Sequence, residues 1–315
     1  MKILVTPTSL RPDKQTRALD KLREFADEII FNPHDRPLKQ SELIELLPGC
    51  DGFLAGLDYI DADVIASCDK LRVISRYGAG VDRVDLNAAR AHNVAVCNTP
   101  GANAQAVADL TLGLMLSVAR RIPLLDRSVK SGNWFRNTGL ELYSKTIGLF
   151  GLGAIGRAVA KRALGFSMRV MAYDPYIDND YAAKNSIISA TIEQIVQESD
   201  VISLHLPLNE DTRHIISGEL MKKMKRGVII INTARGGLIE EEILPELLES
   251  GQIGGLGLDA FEEEPLVNTP LSGYDNVVLT PHTAAHTFEA TENMADMAVQ
   301  NLIDVLSGNE CRHLI

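Results

Sequence analysis

Three polar residues stand just past three successive apolar runs in the C-terminal half of this 315-residue chain. GVIIINT (227–233) is followed by Ala234-Arg235-Gly236-Gly237, and GGLGLD (254–259) by Ala260-Phe261-Glu262-Glu263-Glu264-Pro265. NVVLT (276–280) is followed by Pro281-His282-Thr283. Ligands of open α/β sheets bind beyond the carboxyl ends of the strands. A guanidinium, a carboxylate and an imidazole are therefore expected at one mouth. That set suits hydride transfer on a 2-hydroxy or 2-keto acid. Arg235 offers a planar fork of donors for a carboxylate and a carbonyl oxygen. His282 can exchange the hydroxyl proton near neutral pH. Glu264 on the second imidazole nitrogen would orient the ring and favour its protonated form. Singly, each has a plainer reading: a surface arginine, one of three solvated glutamates, a structural histidine. Their shared position beside a nucleotide site carries the functional reading. His286, one helical turn from His282, is the local competitor. No metal is expected, because the candidate ligands lack metal-site spacing.

The nucleotide site is read from Gly151-Leu152-Gly153-Ala154-Ile155-Gly156, which lies between the run TIGLF (146–150) and a helical stretch. The strand–turn–helix context gives this pattern its weight. Gly151 permits the tight turn, Gly153 the approach of a pyrophosphate, and Gly156 close packing of helix on strand. N–H groups at the helix start, from Ala154 and Ile155, then bind the phosphates. Asp174 ends the next run, 18 residues after Gly156. A carboxylate there accepts the ribose hydroxyls of NAD and repels a 2′-phosphate, and no Arg or Lys follows within several residues. NAD is the expected cofactor, with S-adenosylmethionine as the rival. His205, in the run HLPL, is expected on the cofactor side.

These residues need a scaffold. Short Val- and Ile-rich runs alternate with helix-length amphipathic segments, which implies parallel sheets covered on both faces. The first array has runs at 2–6, 28–32, 52–56, 72–76 and 94–97. The second has six, at 146–150, 169–173, 201–206, 227–233, 254–259 and 276–280. Helices are expected at 14–25, 41–47, 104–121 and 288–306. The fold class is α/β: two Rossmann-like or flavodoxin-like parallel-sheet domains with a cleft between them. Residues 1–100 plus 287–315 would form a discontinuous substrate domain, and 101–286 the NAD-binding domain. Length supports two domains.

Composition narrows the class further. The chain is 45% hydrophobic and 23% charged, which is globular rather than disordered. A net charge of −11 argues against a nucleic-acid partner. No run approaches the length that spans a bilayer, and the N-terminus reads as a buried strand, so no membrane partner is expected. Four cysteines without CxxC spacing point to free thiols and a cytoplasmic location.

The motifs GLGAIGRAVA (151–160), HLPLN (205–209), NTARGGLI (232–239), LDAFEEEP (258–265) and PHTAAHT (281–287) resemble those of the D-isomer-specific 2-hydroxyacid dehydrogenases, the group containing D-3-phosphoglycerate dehydrogenase. The resemblance spans nearly the whole chain. It implies catalytic roles for Arg235, Glu264 and His282. It places Ala234 and Pro207 by the cofactor, and Asp259 at the nicotinamide carboxamide. Gly78, Ala79 and Gly80 resemble the loop whose N–H groups hold the substrate carboxylate. Arg76 flanks that pocket, and Asn103 lies in a hinge. The implied partner is a small 2-hydroxy or 2-keto acid, and the implied assembly a homodimer through the nucleotide domain. The loop 55–58 lacks the arginine that phosphoglycerate dehydrogenases often place there, which disfavours phosphoglycerate. The stop at Ile315 leads us to expect no appended regulatory domain. The non-enzymatic alternative is an NAD-responsive binding protein of the corepressor type.

Overall fold

The computed structural model describes every residue from Met1 to Ile315. The chain divides into two compact units, Met1–Asn103 with His286–Ile315, and Ala104–Ala285.

The first unit is built on five parallel strands: β1 (Lys2–Val5), β2 (Glu28–Phe31), β3 (Gly52–Ala55), β4 (Val73–Arg76) and β5 (Ala95–Cys97), in the order β2-β1-β3-β4-β5. Alternate side chains enter opposite layers, as the pleat requires. Leu4, Phe53 and Ile74 pack on one face; Ile3, Val5, Leu54 and Val73 pack on the other. The second layer also holds Ala295, Ala298, Val299 and Leu302 of the last helix, Phe288–Ser307. The C-terminal segment therefore completes the core of the first sheet. Thr287 caps this helix by accepting from Ala290 N, and Gly308 ends it at a φ of 76°.

The second unit has seven parallel strands: β6 (Thr146–Phe150), β7 (Arg169–Tyr173), β8 (Ile187–Ser189), β9 (Val201–Leu204), β10 (Val228–Asn232), β11 (Ile253–Leu258) and β12 (Val277–Leu279). Their order is β12-β11-β10-β9-β6-β7-β8. The order reverses between β6 and β9, the switch point at which such sheets hold dinucleotides. The continuous apolar run of β10 follows from double coverage. Val228 and Ile230 enter one layer, while Ile229 and Ile231 enter the other with helix Ala104–Arg120. Six strands were expected here; β8 is the addition. It is a three-residue edge strand in which only Ile187 is buried, too short to show a period. No helix is long and apolar enough to cross a membrane.

Candidate active site

The three late strands β10, β11 and β12 are neighbours, so their exit loops lie side by side. The loop after β10 turns on Asn232, whose side chain donates to the Arg235 carbonyl at 2.8 Å and accepts from Ala234 N at 3.0 Å. Gly236 then packs against the loop after β11. A Cβ there would lie 1.9 Å from the Phe261 carbonyl carbon and 2.1 Å from Glu262 N. Only a glycine lets these two loops meet, which brings the segment carrying Arg235 onto the segment carrying Glu264.

Glu264 Oε1 accepts from Phe261 N at 3.2 Å and faces His282 Nδ1 at 2.8 Å. An ionised carboxylate only accepts, so Nδ1 carries the proton and Nε2 is left to take or give one. His282 itself sits in the left-handed region at a φ of 50°, which is strained for a residue with a Cβ. Asp259 holds that strained loop in place. Its Oδ1 accepts from Thr280 Oγ1 at 2.6 Å and Thr283 N at 2.9 Å, and its Oδ2 from Ala284 N at 2.9 Å. The side chain is 1% exposed. Asp259 thus acts as the pin of the His282 loop, a duty the motif did not suggest.

A second acidic group lies beside the pair. Glu241 Oε1 accepts from Glu262 N at 3.1 Å, and Glu262 Oε1 meets His214 Nε2 at 2.5 Å. Burial first, then the charges of Glu262 and Glu264, push the Glu241 carboxyl up to about 7. Its signal in the sequence, one glutamate among the run Glu240-Glu241-Glu242, is indistinguishable from a solvated face.

The glycine turn after β6 has the geometry expected of a phosphate cradle. Gly151 adopts a φ of 105°, and a Cβ there would meet the His205 carbonyl at 2.8 Å. A Cβ on Gly156 would lie 2.1 Å from Gly151 O. At Gly153 there is open space, and Gly153 is the N-cap of helix Ala154–Gly165 with no side chain capping it. Ala154 and Ile155 open that helix, so their N–H groups are among those with no intrahelical partner. Asp174 accepts from Leu152 N at 2.8 Å and Tyr176 N at 2.9 Å, one bond per oxygen, which leaves lone pairs on both. His205 Nε2 meets Ser203 Oγ at 2.9 Å, while its buried Nδ1 has no protein partner. Burial pushes this imidazole down to about 3, so it is neutral at physiological pH. Pro207 is exposed just beyond β9, and its carbonyl accepts from Thr212 Oγ1 at 2.7 Å. An uncapped helix start, a glycine approach and a ribose-ready carboxylate together fit a dinucleotide.

In the first unit, the loop after β4 has its carbonyls tied down. Gly78 O accepts from Thr99 N at 3.0 Å, Ala79 O from Asn98 Nδ2 at 2.7 Å, and Gly80 O from Arg76 Nε at 3.2 Å. Arg76 is 2% exposed and also donates to Ala55 O at 2.9 Å. It buttresses the loop from within. Asn103 Oδ1 is buried without a protein partner. Asp58 is also buried, accepting from Thr6 Oγ1, Leu38 N at 2.7 Å and Gly56 N at 3.2 Å.

Comparison with known proteins now bears on this geometry. A family model described as the NAD-binding domain of the D-isomer-specific 2-hydroxyacid dehydrogenases matches residues 112–284. A glyoxylate reductase of Thermofilum pendens is 40% identical over 301 residues, covering 92% of this chain and 88% of that one. The chain belongs to the D-isomer-specific 2-hydroxyacid dehydrogenase family. A hydroxypyruvate reductase of Thermotoga maritima is 41% identical, covering 91% of this chain and 96% of its own. The solved structure of protein TT0316 from Thermus thermophilus covers both chains fully at 38% identity with a TM-score of 0.88. This dehydrogenase is an NAD-dependent oxidoreductase that interconverts a small D-2-hydroxy acid and its 2-keto acid. The relatives support that activity and not the non-enzymatic alternative. Bound NAD supplies the hydride acceptor or donor; the proton and the orientation of the acid fall to the side chains of the chain.

Proposed function

We propose that this dehydrogenase acts on a 2-keto or 2-hydroxy acid whose third substituent is small and uncharged, with His282, Glu264 and Arg235 as its catalytic residues. The observation that carries this reading is the 2.8 Å contact of Glu264 with His282 Nδ1, which turns Nε2 into a proton exchanger. In the oxidation direction His282 takes the hydroxyl proton, and in reduction it returns it. Glu264 holds the ring and balances its positive charge. Arg235 polarises the carbonyl oxygen and grips the carboxylate. The N–H groups at Gly78, Ala79 and Gly80 are proposed to bind a substrate carboxylate, since the loop's carbonyls are tied down and its N–H groups are left to an anion. Arg76 supports that loop, and Asn103 is proposed as a further substrate-binding residue. On the cofactor side Gly151, Gly153, Ala154, Ile155 and Gly156 hold the pyrophosphate, and Asp174 the adenosine ribose. His205, Pro207, Ala234 and Asp259 line the remainder.

The size and charge of the substituent follow from the loop after β3. Asp58 spends its charge on Thr6, Leu38 and Gly56, and Ala55 O is taken by Arg76. The loop itself, residues 55–58, carries no Lys or Arg for a phosphate or sulfonate dianion, and Arg83 beside it donates to Leu57 O at 2.7 Å. The named activities of the two relatives, on glyoxylate and hydroxypyruvate, agree with a small neutral group. A screen of 2-keto acids against NADH tests this. Glyoxylate or hydroxypyruvate is expected to give the highest kcat/KM. A higher value with the keto form of phosphoglycerate would overturn the reading.

Residues 1–100 with 287–315 are proposed as the substrate domain and 101–286 as the nucleotide domain. A homodimer through the nucleotide unit is proposed because Ile122, Val129, Trp134, Phe135 and Tyr143 are exposed along one stretch of it. A cytoplasmic location agrees with four free, buried cysteines.

A further inference from the structure

Arg157 has no part in the reaction described above, yet it stands beside the residue proposed to choose the cofactor. It lies one residue past Gly156 on helix Ala154–Gly165. Its Nε donates to Leu152 O at 3.0 Å, and its Nη2 reaches Asp178 Oδ2 at 3.2 Å. Its guanidinium lies 3.8 Å from the centroid of the Tyr181 ring. Leu152 is shared: its N–H donates to Asp174 Oδ2 at 2.8 Å. The carboxylate and the guanidinium therefore bracket the backbone of a single residue in the glycine turn. Bond lengths hold them within roughly 9 Å of each other.

We propose that Arg157 is a specificity-determining residue for the dinucleotide, a reserve cation for a 2′-phosphate that Asp174 keeps out of use. The inference rests on the reading of Asp174 as the ribose acid. With Asp174 present, a 2′-phosphate meets a negative charge first, and NAD is preferred. Without it, Arg157 is a cation within roughly 9 Å of the vacated position. The ring beneath it leaves the donors in the guanidinium plane, which is the geometry that grips phosphate. Its ion pair with Asp178 is partly open to solvent on both sides, so that clamp is weak and the head can be released. Searching the chain downstream of Asp174 finds no nearby cation, because the cation comes from upstream, across the turn.

The test is calorimetric binding of 2′,5′-ADP and of 5′-ADP to the intact protein and its variants, which needs no turnover. Asp174→Ala is expected to raise affinity for 2′,5′-ADP by roughly tenfold or more and to weaken 5′-ADP, which loses its ribose hydroxyl contacts. In the double variant Asp174→Ala, Arg157→Gln most of the gain in 2′,5′-ADP affinity over Asp174→Ala is expected to disappear. Asp174→Ala with Arg157→Lys keeps a charge and should retain part of the gain. Asp174→Ala with Asp178→Asn should increase it by releasing the guanidinium. In each double variant, 5′-ADP binding equal to that of Asp174→Ala reports an intact site. If Asp174→Ala brings no gain, Asp174 does not face the ribose and the proposed reading of that residue fails. If the gain appears but survives Arg157→Gln and is unmoved by Asp178→Asn, the inference about Arg157 is wrong while that of Asp174 stands.

Discussion

At the scale of single residues, the decisive contact is between Glu264 and His282. Replacing Glu264 by Gln keeps a hydrogen-bond acceptor for Nδ1 but removes the charge that balances an imidazolium. The proposed role of His282 in keto-acid reduction draws on that protonated ring. We expect Glu264→Gln to lower kcat by about a hundredfold, within the range for impaired acid–base catalysis. The high-pH fall of kcat/KM should also move to lower pH. Steady-state kinetics across pH 5 to 9 would show both; an unmoved profile would deny Glu264 its electrostatic role. His282→Ala removes the proposed proton exchanger and should cost roughly a thousandfold in kcat, while NADH titration still shows binding.

Glu241 makes a different prediction, about stability. Its carboxyl is raised to about 7 in the fold, chiefly by burial. An unfolded glutamate titrates near 4.3. Between these values the native state binds more protons than the unfolded one, so stability falls as pH rises through that window. Above about pH 7 the loss is complete and constant. Glu241→Gln should abolish this slope and stabilise the protein at pH 8 by on the order of 2 kcal/mol. Denaturant melts at pH 5 and pH 8 give the answer; equal gains at both would mean that charge is not the cause.

At the scale of elements, the site depends on adjacent loops that do not share a strand. Gly236 is the point of closest approach. Gly236→Ala places a methyl inside the Phe261–Glu262 peptide, so the two loops must part. We expect a loss of about 2 kcal/mol, typical of overpacking, together with a large fall in kcat. Thermal denaturation and turnover measured on the same preparation would reveal it. The helix Phe288–Ser307 shows another dependence between elements. It supplies Ala298 and Leu302 to the buried layer that also holds Ile3, Val5 and Leu54, so the end of the chain completes the core built on its beginning.

At the scale of the whole molecule, the exposed apolar stretch bears on assembly. Trp134 is the single tryptophan of the chain and is 85% exposed in the isolated chain. If the nucleotide unit forms the proposed homodimer, Trp134 is covered. Its emission should be blue-shifted at micromolar concentration and move to the red on dilution, in step with a change in mass by light scattering. A chain that scatters as a monomer at all concentrations, with solvent-exposed emission, would remove the proposal. Phe135→Glu is expected to give the monomer directly.

Much of this was legible before any coordinates. The alternation of apolar runs with helical segments reports double-sided burial, and every expected run became a strand with nearly the expected bounds, while the short edge strand β8 was not expected. Glycines announced themselves because backbone conformation at Gly151 and contact at Gly156 admit no side chain. The types and order of Arg235, Glu264 and His282 were visible because they follow strands directly. Other facts belong to tertiary structure, since they depend on which strands become neighbours and how far apart their loops come to rest. Such are the Gly236 contact with Phe261, the pinning of the His282 loop by Asp259, the burial of Arg76 under its own loop, and the raised Glu241. A linear pattern records what each residue can do, whereas distances across 20 or more intervening residues are set only when the sheet closes its register and the layers pack.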